Sequence, residues 1–226
     1  MIKRLPRWIE YGAFILAFSA GCINSIGLLG LSHQAISHLS GTATLAGSAF
    51  ANADFTSLSN FILILLSFLV GAALSGLLLS GRSIKSGRQY DSLLVIEGIL
   101  LILAMLSMNQ GSFYGHYLAS CACGIQNALA TTYSGAIVRT THVTGIFTDL
   151  GIMIGARLRG DKFDNRKAIL FGLIIMGFIA GGVLGTVLYS HFAFMALLAP
   201  VLICFVLALS YRIFIKNEPV PSRLPH

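Results

Sequence analysis

The chain has 226 residues, 56% of them hydrophobic and only 10% charged, with 24 glycines and a mean hydropathy of +0.83. No water-soluble domain of this size could cover itself with so little polar surface, so the sequence reads as an integral membrane protein. Fifteen Lys and Arg against eight Asp and Glu give a net charge of +7, but the basic residues form short clusters between apolar runs. That pattern excludes a nucleic-acid face and points to anionic lipid headgroups as partner.

The chain opens on Met1-Ile2-Lys3-Arg4-Leu5-Pro6-Arg7 before an apolar run, which imitates a signal peptide, and Ser19-Ala20-Gly21-Cys22 imitates a lipoprotein cleavage site. Ser19 stands where that motif wants an aliphatic residue, and the same punctuation recurs deep in the chain, so neither cleavage is expected. A spanning helix needs roughly 20 apolar residues. Six segments reach or approach that length: about 8–31, 58–80, 90–109, 113–133, 167–189 and 192–214. Residues 37–52 and 141–156 are shorter, rich in Gly and Thr and polar at their starts; 16 helical residues reach only ~24 Å against a hydrocarbon core of ~30 Å. They are expected to be re-entrant or broken half-helices. The four cysteines, Cys22, Cys121, Cys123 and Cys204, all lie in apolar stretches and read as packing residues, not as a disulfide or metal framework.

Charge placement discriminates between topologies. If both short segments cross and the N-terminus is inside, Arg82, Lys85, Arg88 and Arg139 fall outside; if neither crosses, all fifteen basic residues are cytoplasmic. The second arrangement obeys the positive-inside rule fully. Aromatics agree, with Trp8, Tyr11, Tyr90 and Tyr211 at the inner interface and Tyr114, Tyr117 and Tyr189 at the outer. The expected fold is therefore an all-α polytopic membrane protein with six transmembrane helices, two short re-entrant helices and both termini cytoplasmic.

The chain also matches itself. Gly21 and Asn24 correspond to Gly124 and Asn127, and Ser37-His38-x-Ser40-Gly41-x-x-Thr44-x-x-Gly47 corresponds to Thr141-His142-x-Thr144-Gly145-x-x-Thr148-x-x-Gly151, at offsets of about 104 residues. Phe68-x-x-Gly71-x-x-Leu74 matches Phe178-x-x-Gly181-x-x-Leu184 more weakly. Each repeat, about 8–109 and 113–214, reads as helix, short re-entrant segment, helix, helix, with tails 1–7 and 215–226. Because three spans are an odd number, the two repeats within this single membrane domain face opposite ways. Inverted repeats recur in channels and secondary transporters, with a site near the midplane where discontinuous helices meet.

Asn24 followed by Ser37-His38-Leu39-Ser40-Gly41-Thr42, with the later Gly124-Ile125-Gln126-Asn127 and Thr141-His142-Val143-Thr144-Gly145, resembles the bacterial YoaK-like membrane proteins, a family defined by a domain of unknown function. The likeness covers nearly the whole chain. It implies a small bacterial inner-membrane protein and carries over no activity or site residues.

Candidate site residues follow from the repeat. Ser37 or Thr141 is suited to cap the short helix after it, and the unpaired N–H groups of two such helix starts would favour an anion or the electronegative end of a neutral solute. The competing possibility is that Gly and Thr only let short helices pack closely, as do the small-residue stripes Ala13-Ala17-Gly21-Ser25 and Gly177-Gly181-Gly185. The substrate-binding candidates are Asn24, His38, Ser40, Gly41 and Thr44 in the first repeat and Asn127, His142, Thr144, Gly145 and Thr148 in the second. Asn24 and Asn127 could instead pin the re-entrant backbone. Asp149, whose counterpart is Leu45, and Glu97 are candidates for proton coupling, since intramembrane carboxyls are costly; alternatively Asp149 pairs with Arg139 or Arg157. His38, His142 and Asp149 would make a metal ligand set only if the short helices touch.

No HExxH, GxSxG, Walker or Rossmann pattern is present, so neither an enzyme nor a cofactor nor a metal is expected. The function expected is a small-solute transporter or channel, proton-linked through Asp149 or Glu97, its solute unknown and a second copy of the chain an allowed partner. The alternative is a non-transporting membrane protein, either an assembly partner or a membrane enzyme.

Overall fold

The computed structural model describes residues 8–30, 34, 36–79, 88–134 and 138–217. Among these the chain forms eight α-helices and no strand: α1 (Trp8–Leu29), α2 (Leu39–Ala51), α3 (Phe55–Leu79), α4 (Arg88–Asn109), α5 (Tyr114–Tyr133), α6 (Val143–Leu158), α7 (Asn165–Phe192) and α8 (Leu198–Asn217). The basic residues Arg82 and Lys85, and those of the tails 1–7 and 218–226, lie outside the described residues. The two short segments are helices of 13 and 16 residues.

Local chemistry sets the boundaries. α3 begins at Phe55 rather than 58 because Asp54 Oδ1 accepts the Ser57 N–H at 3.0 Å. Hydrogen bonds from Ser57 hold the Asp54 carboxyl below the usual carboxylate range. Asp164 does the same for α7, accepting the Lys167 N–H at 3.1 Å. α7 runs on to Phe192, past the expected 189, and stops where Ala193 turns left-handed at φ 48°. A 3-10 turn, Ala193–Leu197, then moves the start of α8 from 192 to Leu198.

Four stretches are long and apolar enough to cross a membrane: Glu10–Leu29, Phe55–Leu79, Gln89–Asn109 and Asn165–Ile213, the last holding α7, the turn and most of α8. α5 is less apolar, and its surroundings explain why. It packs on both α3 and α4, and most of its residues are buried. Its polar groups are used inward: Ser120 Oγ donates to the Ile64 carbonyl at 2.9 Å and Tyr117 OH to Asn60 Oδ1 at 2.6 Å.

Two helix pairs hold the bundle together at backbone contact. A Cβ on Gly21 of α1 would fall on the Phe178 carbonyl of α7, and one on Gly181 of α7 on the Phe18 carbonyl of α1. Likewise a Cβ on Gly124 of α5 would meet the Phe68 carbonyl of α3, and one on Gly71 of α3 the Cys121 carbonyl of α5. The pairing order gives direction. Glu10 meets Arg166, Phe18 meets Gly181 and Cys22 meets Gly185, so α1 and α7 run parallel. Asn60 meets Tyr117, Ile64 meets Ser120 and Phe68 meets Gly124, so α3 and α5 also run parallel. α4 lies antiparallel to α5, with Gly115 seated against Ala104 and Met108, and antiparallel to α8, with Gly98 against Phe205 and Tyr90 against Tyr211 at 5.5 Å between ring centroids.

The short helices flank this core. α2 lays Ala46 and Ala49 against Phe61 of α3, and Ile146 of α6 joins Leu170, Phe171 and Ile174 of α7. Among the described residues α2 and α6 do not touch each other.

Gly71→Val and Gly181→Val should each cost about 1–3 kcal/mol, because a branched Cβ must push two backbones apart. Gly47→Ala and Gly151→Ala, where nothing lies within 4 Å, should be neutral or stabilising by up to about 1 kcal/mol. Thermal unfolding in detergent measures both; equal melting temperatures for the two sets would refute carbonyl contact as the anchoring interaction.

Candidate functional site

Each repeated motif builds the start of a short helix, but not with the cap expected. The N-cap residues are His38 (φ −90°, ψ 68°) and His142 (φ −92°, ψ 52°), neither making a side-chain cap bond, so the expectation that Ser37 or Thr141 would cap is corrected. The imidazoles fold back along the first turn instead. A Cβ on Gly41 would fall on the His38 ring and one on Gly145 on the His142 ring, which accounts for the His-x-x-Gly spacing. Thr44 and Thr148 turn their hydroxyls onto the carbonyls of Ser40 and Thr144, each at 3.0 Å. His38, Ser40, Thr44, His142, Thr144 and Thr148 all stand exposed.

Asn24 pins the first motif. Its Oδ1 accepts from Ser37 N–H at 3.0 Å and from Ser37 Oγ at 3.1 Å, tying the segment before α2 into the bundle. That also explains why Ser37 does not cap. Asn127 departs from the pattern: its buried Oδ1 has no hydrogen-bond partner among the described residues. Because α2 and α6 are apart, the two motifs do not form one site, and His38, His142 and Asp149 are not gathered about one point.

The two candidate carboxyls have opposite surroundings. Asp149, 48% exposed, pairs at 3.5 Å with Lys167 of α7, not with Arg139 or Arg157. Lys167 also lies 5.2 Å over the Phe171 ring. Glu97 has no exposed surface. Its Oε1 accepts from Gln126 Nε2 of α5 at 2.7 Å, and its buried Oε2 has no hydrogen-bond partner among the described residues. Gln126 falls in the second repeat's Gly-Ile-Gln-Asn run, yet its partner could not be read from spacing, since 29 residues separate it from Glu97.

A cavity of about 460 Å³ opens at the end of the bundle where α1 and α4 begin and α5 and α8 finish. Gly12, Leu16, Leu94, Leu129 and Leu207 form much of its wall, with Tyr11, Tyr90 and Tyr211 around it. None of the sequence-derived candidates lines it. Glu97 lies one turn further along α4 than Leu94. The missed signal is a dipeptide: Tyr11-Gly12 and Tyr114-Gly115 stand 103 residues apart, the same offset as Gly21 and Gly124. Tyr11 and Tyr114 are equally exposed, at 73% and 72%. The glycines differ: Gly115 is clamped against α4, whereas nothing lies within 4 Å of a Cβ on Gly12.

Replacing Gln126 alone by Leu should destabilise the fold by about 1–3 kcal/mol, because a buried carboxyl oxygen loses its donor. The double variant Glu97→Leu with Gln126→Leu should recover part of that loss. A double-mutant cycle of unfolding free energies in detergent tests the pair; additive losses would mean that the 2.7 Å contact carries no coupling.

Comparison with known proteins places this arrangement. The model for a protein family of unknown function, DUF1275, matches residues 12–210, nearly the whole helical bundle. The UPF0700 transmembrane protein YoaK of Bacillus subtilis (strain 168) is 23% identical over 212 residues, covering 90% of this chain and 94% of that one. No solved structure matches. With its apolar helices and a family match spanning most of its length, the chain is a membrane protein belonging to the DUF1275 family.

Proposed function

We propose that this protein is a proton-linked transporter of a small solute, built from two inverted repeats that work by alternating access in the bacterial plasma membrane. The observation that carries it is the unequal packing of Gly12 and Gly115. The seam between α5 and α4 is closed around Gly115, while the matching seam between α1 and α8 stands open at Gly12 as a cavity. In inverted-repeat transporters one half rocks against the other, so matched seams close in turn. In the opposite state α1 closes on α8 near Tyr211 and α5 parts from α4 near Met108.

Helix directions support the inverted layout. Taking α1 as outward, parallel packing makes α7 outward; α8 returns inward after the short turn; α4, antiparallel to α8, runs outward; α5 and α3 run inward. α2 and α6 then each begin and end on one side, as re-entrant helices do. Arg157, Arg159, Lys162, Arg166 and Lys167 fall at the cytoplasmic end on this topology, beside anionic headgroups. The cavity opens at that same end, so the structure corresponds to an inward-open form.

Glu97, rather than the exposed and paired Asp149, is the coupling group. It sits where α4, α5 and α8 converge, so opening the α4–α5 seam changes its partners and its access to water. The carboxyl takes up a proton from the outer side while the α4–α5 seam is open and releases it to the cytoplasmic side in the part of the cycle where that seam is closed. Gln126 orients it. No enzymatic step, cofactor or metal enters this cycle.

Proteoliposomes with a trapped pH dye test the mechanism. Some members of a solute panel should move protons with the wild type, Glu97→Gln should abolish that coupling, and Asp149→Asn should keep it within about twofold. Proton movement that survives Glu97→Gln, or a wild type inert to the whole panel, would overturn the proposal. On topology, Asn52→Cys and Gln110→Cys should react with an impermeant thiol reagent from outside and Lys162→Cys only after permeabilisation; labelling of Lys162→Cys from outside would refute the re-entrant assignment.

A further inference from the structure

The sequence suggests a polar solute held by Asn, His and Thr, but the cavity has a different chemistry. We infer that the cleft between α1 and α8 takes an uncharged molecule with an apolar body and one hydroxyl-sized polar end, such as an aryl or alkyl alcohol; this names the substrate class and rests on the transport cycle above. Its wall is Leu16, Leu94, Leu129 and Leu207 with small gaps at Gly12 and Ala13, and no described charged side chain lines it. A charged or multiply hydroxylated solute entering this space would give up hydration without partners, which costs several kcal/mol for each unsatisfied group.

Size and polarity fit. About 460 Å³ lies within the range of small-molecule sites, which are typically apolar with a few placed polar groups. Those groups here are the Ser210 hydroxyl and Tyr211 phenol, adjacent at the end of α8, with the phenols of Tyr11 and Tyr90. Ser210 is exposed, Tyr211 is half-buried like Leu16 and Leu207, and Leu94 and Leu129 are buried, so the Ser210 hydroxyl stands toward the mouth and those two leucines lie deepest. A ligand therefore enters with its apolar body first and its polar end outward.

Gly12 supplies the handle for a test, because a side chain there meets open space and extends into the cleft. The full-length protein in nanodiscs is irradiated with a neutral benzyl alcohol bearing a diazirine, and adducts are mapped by mass spectrometry. Adducts are expected on the segments holding Tyr11, Tyr90 and Ser210–Tyr211, displaced by excess benzyl alcohol and reduced at least tenfold in Gly12→Leu. Leu207→Trp is a second filling variant, read the same way if Gly12→Leu unfolds. Gly47→Leu, remote from the cleft, should label like the wild type.

A diazirine benzoate that labels these segments equally well would overturn the neutral-ligand assignment. So would a photoreactive phosphatidylcholine acyl chain that labels them and is not displaced by benzyl alcohol, since the occupant is then bilayer lipid. Labelling needs no transport, so the two ideas fail separately. Adducts without any solute-driven proton movement would remove the transport cycle and leave the site. Proton movement driven by polar solutes, with no adducts in the cleft, would remove the ligand class and leave the cycle.

Discussion

The bundle depends on two pairs of parallel helices brought to backbone contact by glycine. Inside a bilayer, apolar side chains gain little by leaving lipid for protein, so helices associate through close van der Waals fit and backbone polar contacts. Gly21 and Gly181 let α1 and α7 touch, and Gly71 and Gly124 do the same for α3 and α5. At such contact the Cα–H groups of one helix face carbonyls of the other, a weak attraction repeated along the seam. These pairs fix the heights of everything else. Asn24 lies one turn above Gly21, where its amide oxygen can hold Ser37, and Gln126 lies two residues beyond Gly124, where it reaches across to Glu97 on α4.

Against those close-packed pairs, the seams made by α4 and α8 are the ones the proposed cycle would move. α4 is pressed on α5 at Gly115, while α8 is separated from α1 by a cavity at Gly12. Glu97 lies beside both α5 and α8, so it registers movement at either seam. A buried carboxyl with one amide partner, and no ion-pair partner among the described residues, is costly to ionise in place. The cost falls when water enters. On the proposed cycle a conformational change and a proton exchange are thereby linked through one residue.

Much of this fold was legible in the sequence because lipid imposes long apolar runs and penalises polar interruptions. The eight helical segments lie close to their expected bounds, and the exceptions have local causes: the Asp54 cap at the start of α3, and the left-handed Ala193 after α7. The site was less legible. Capping preferences favour Ser37 and Thr141, yet Asn24 engages Ser37 from another helix, and the histidines take the cap positions with rings that need Gly41 and Gly145 beneath them. The matched motifs invited a shared site, but whether two short helices meet depends on which long helices they pack against. α2 packs on α3 and α6 on α7, with no contact between the two short helices among the described residues. Tyr11-Gly12 and Tyr114-Gly115 escaped notice because glycine is common here and only packing distinguishes the two.

The pairing of an uncharged cleft with one titratable carboxyl also sets the energetics that the proposed cycle would have. On the proposed cycle a neutral solute carries no charge, so the proton on Glu97 would be the charge that crosses with it, and each inward turnover would move one positive charge down the membrane potential. That is worth ~2.3 kcal/mol per 100 mV, which corresponds to roughly 50-fold accumulation before any pH gradient is counted. A second coupling carboxyl at Asp149 would double the drive, but its ion pair with Lys167 already cancels that charge at the bundle's edge. With α2 and α6 lying outside the moving seams, their polar starts need not touch the solute. α2 packs on α3 and α6 on α7, and on the proposed cycle the apolar cleft and the Glu97 carboxyl between α4, α5 and α8 do the coupling.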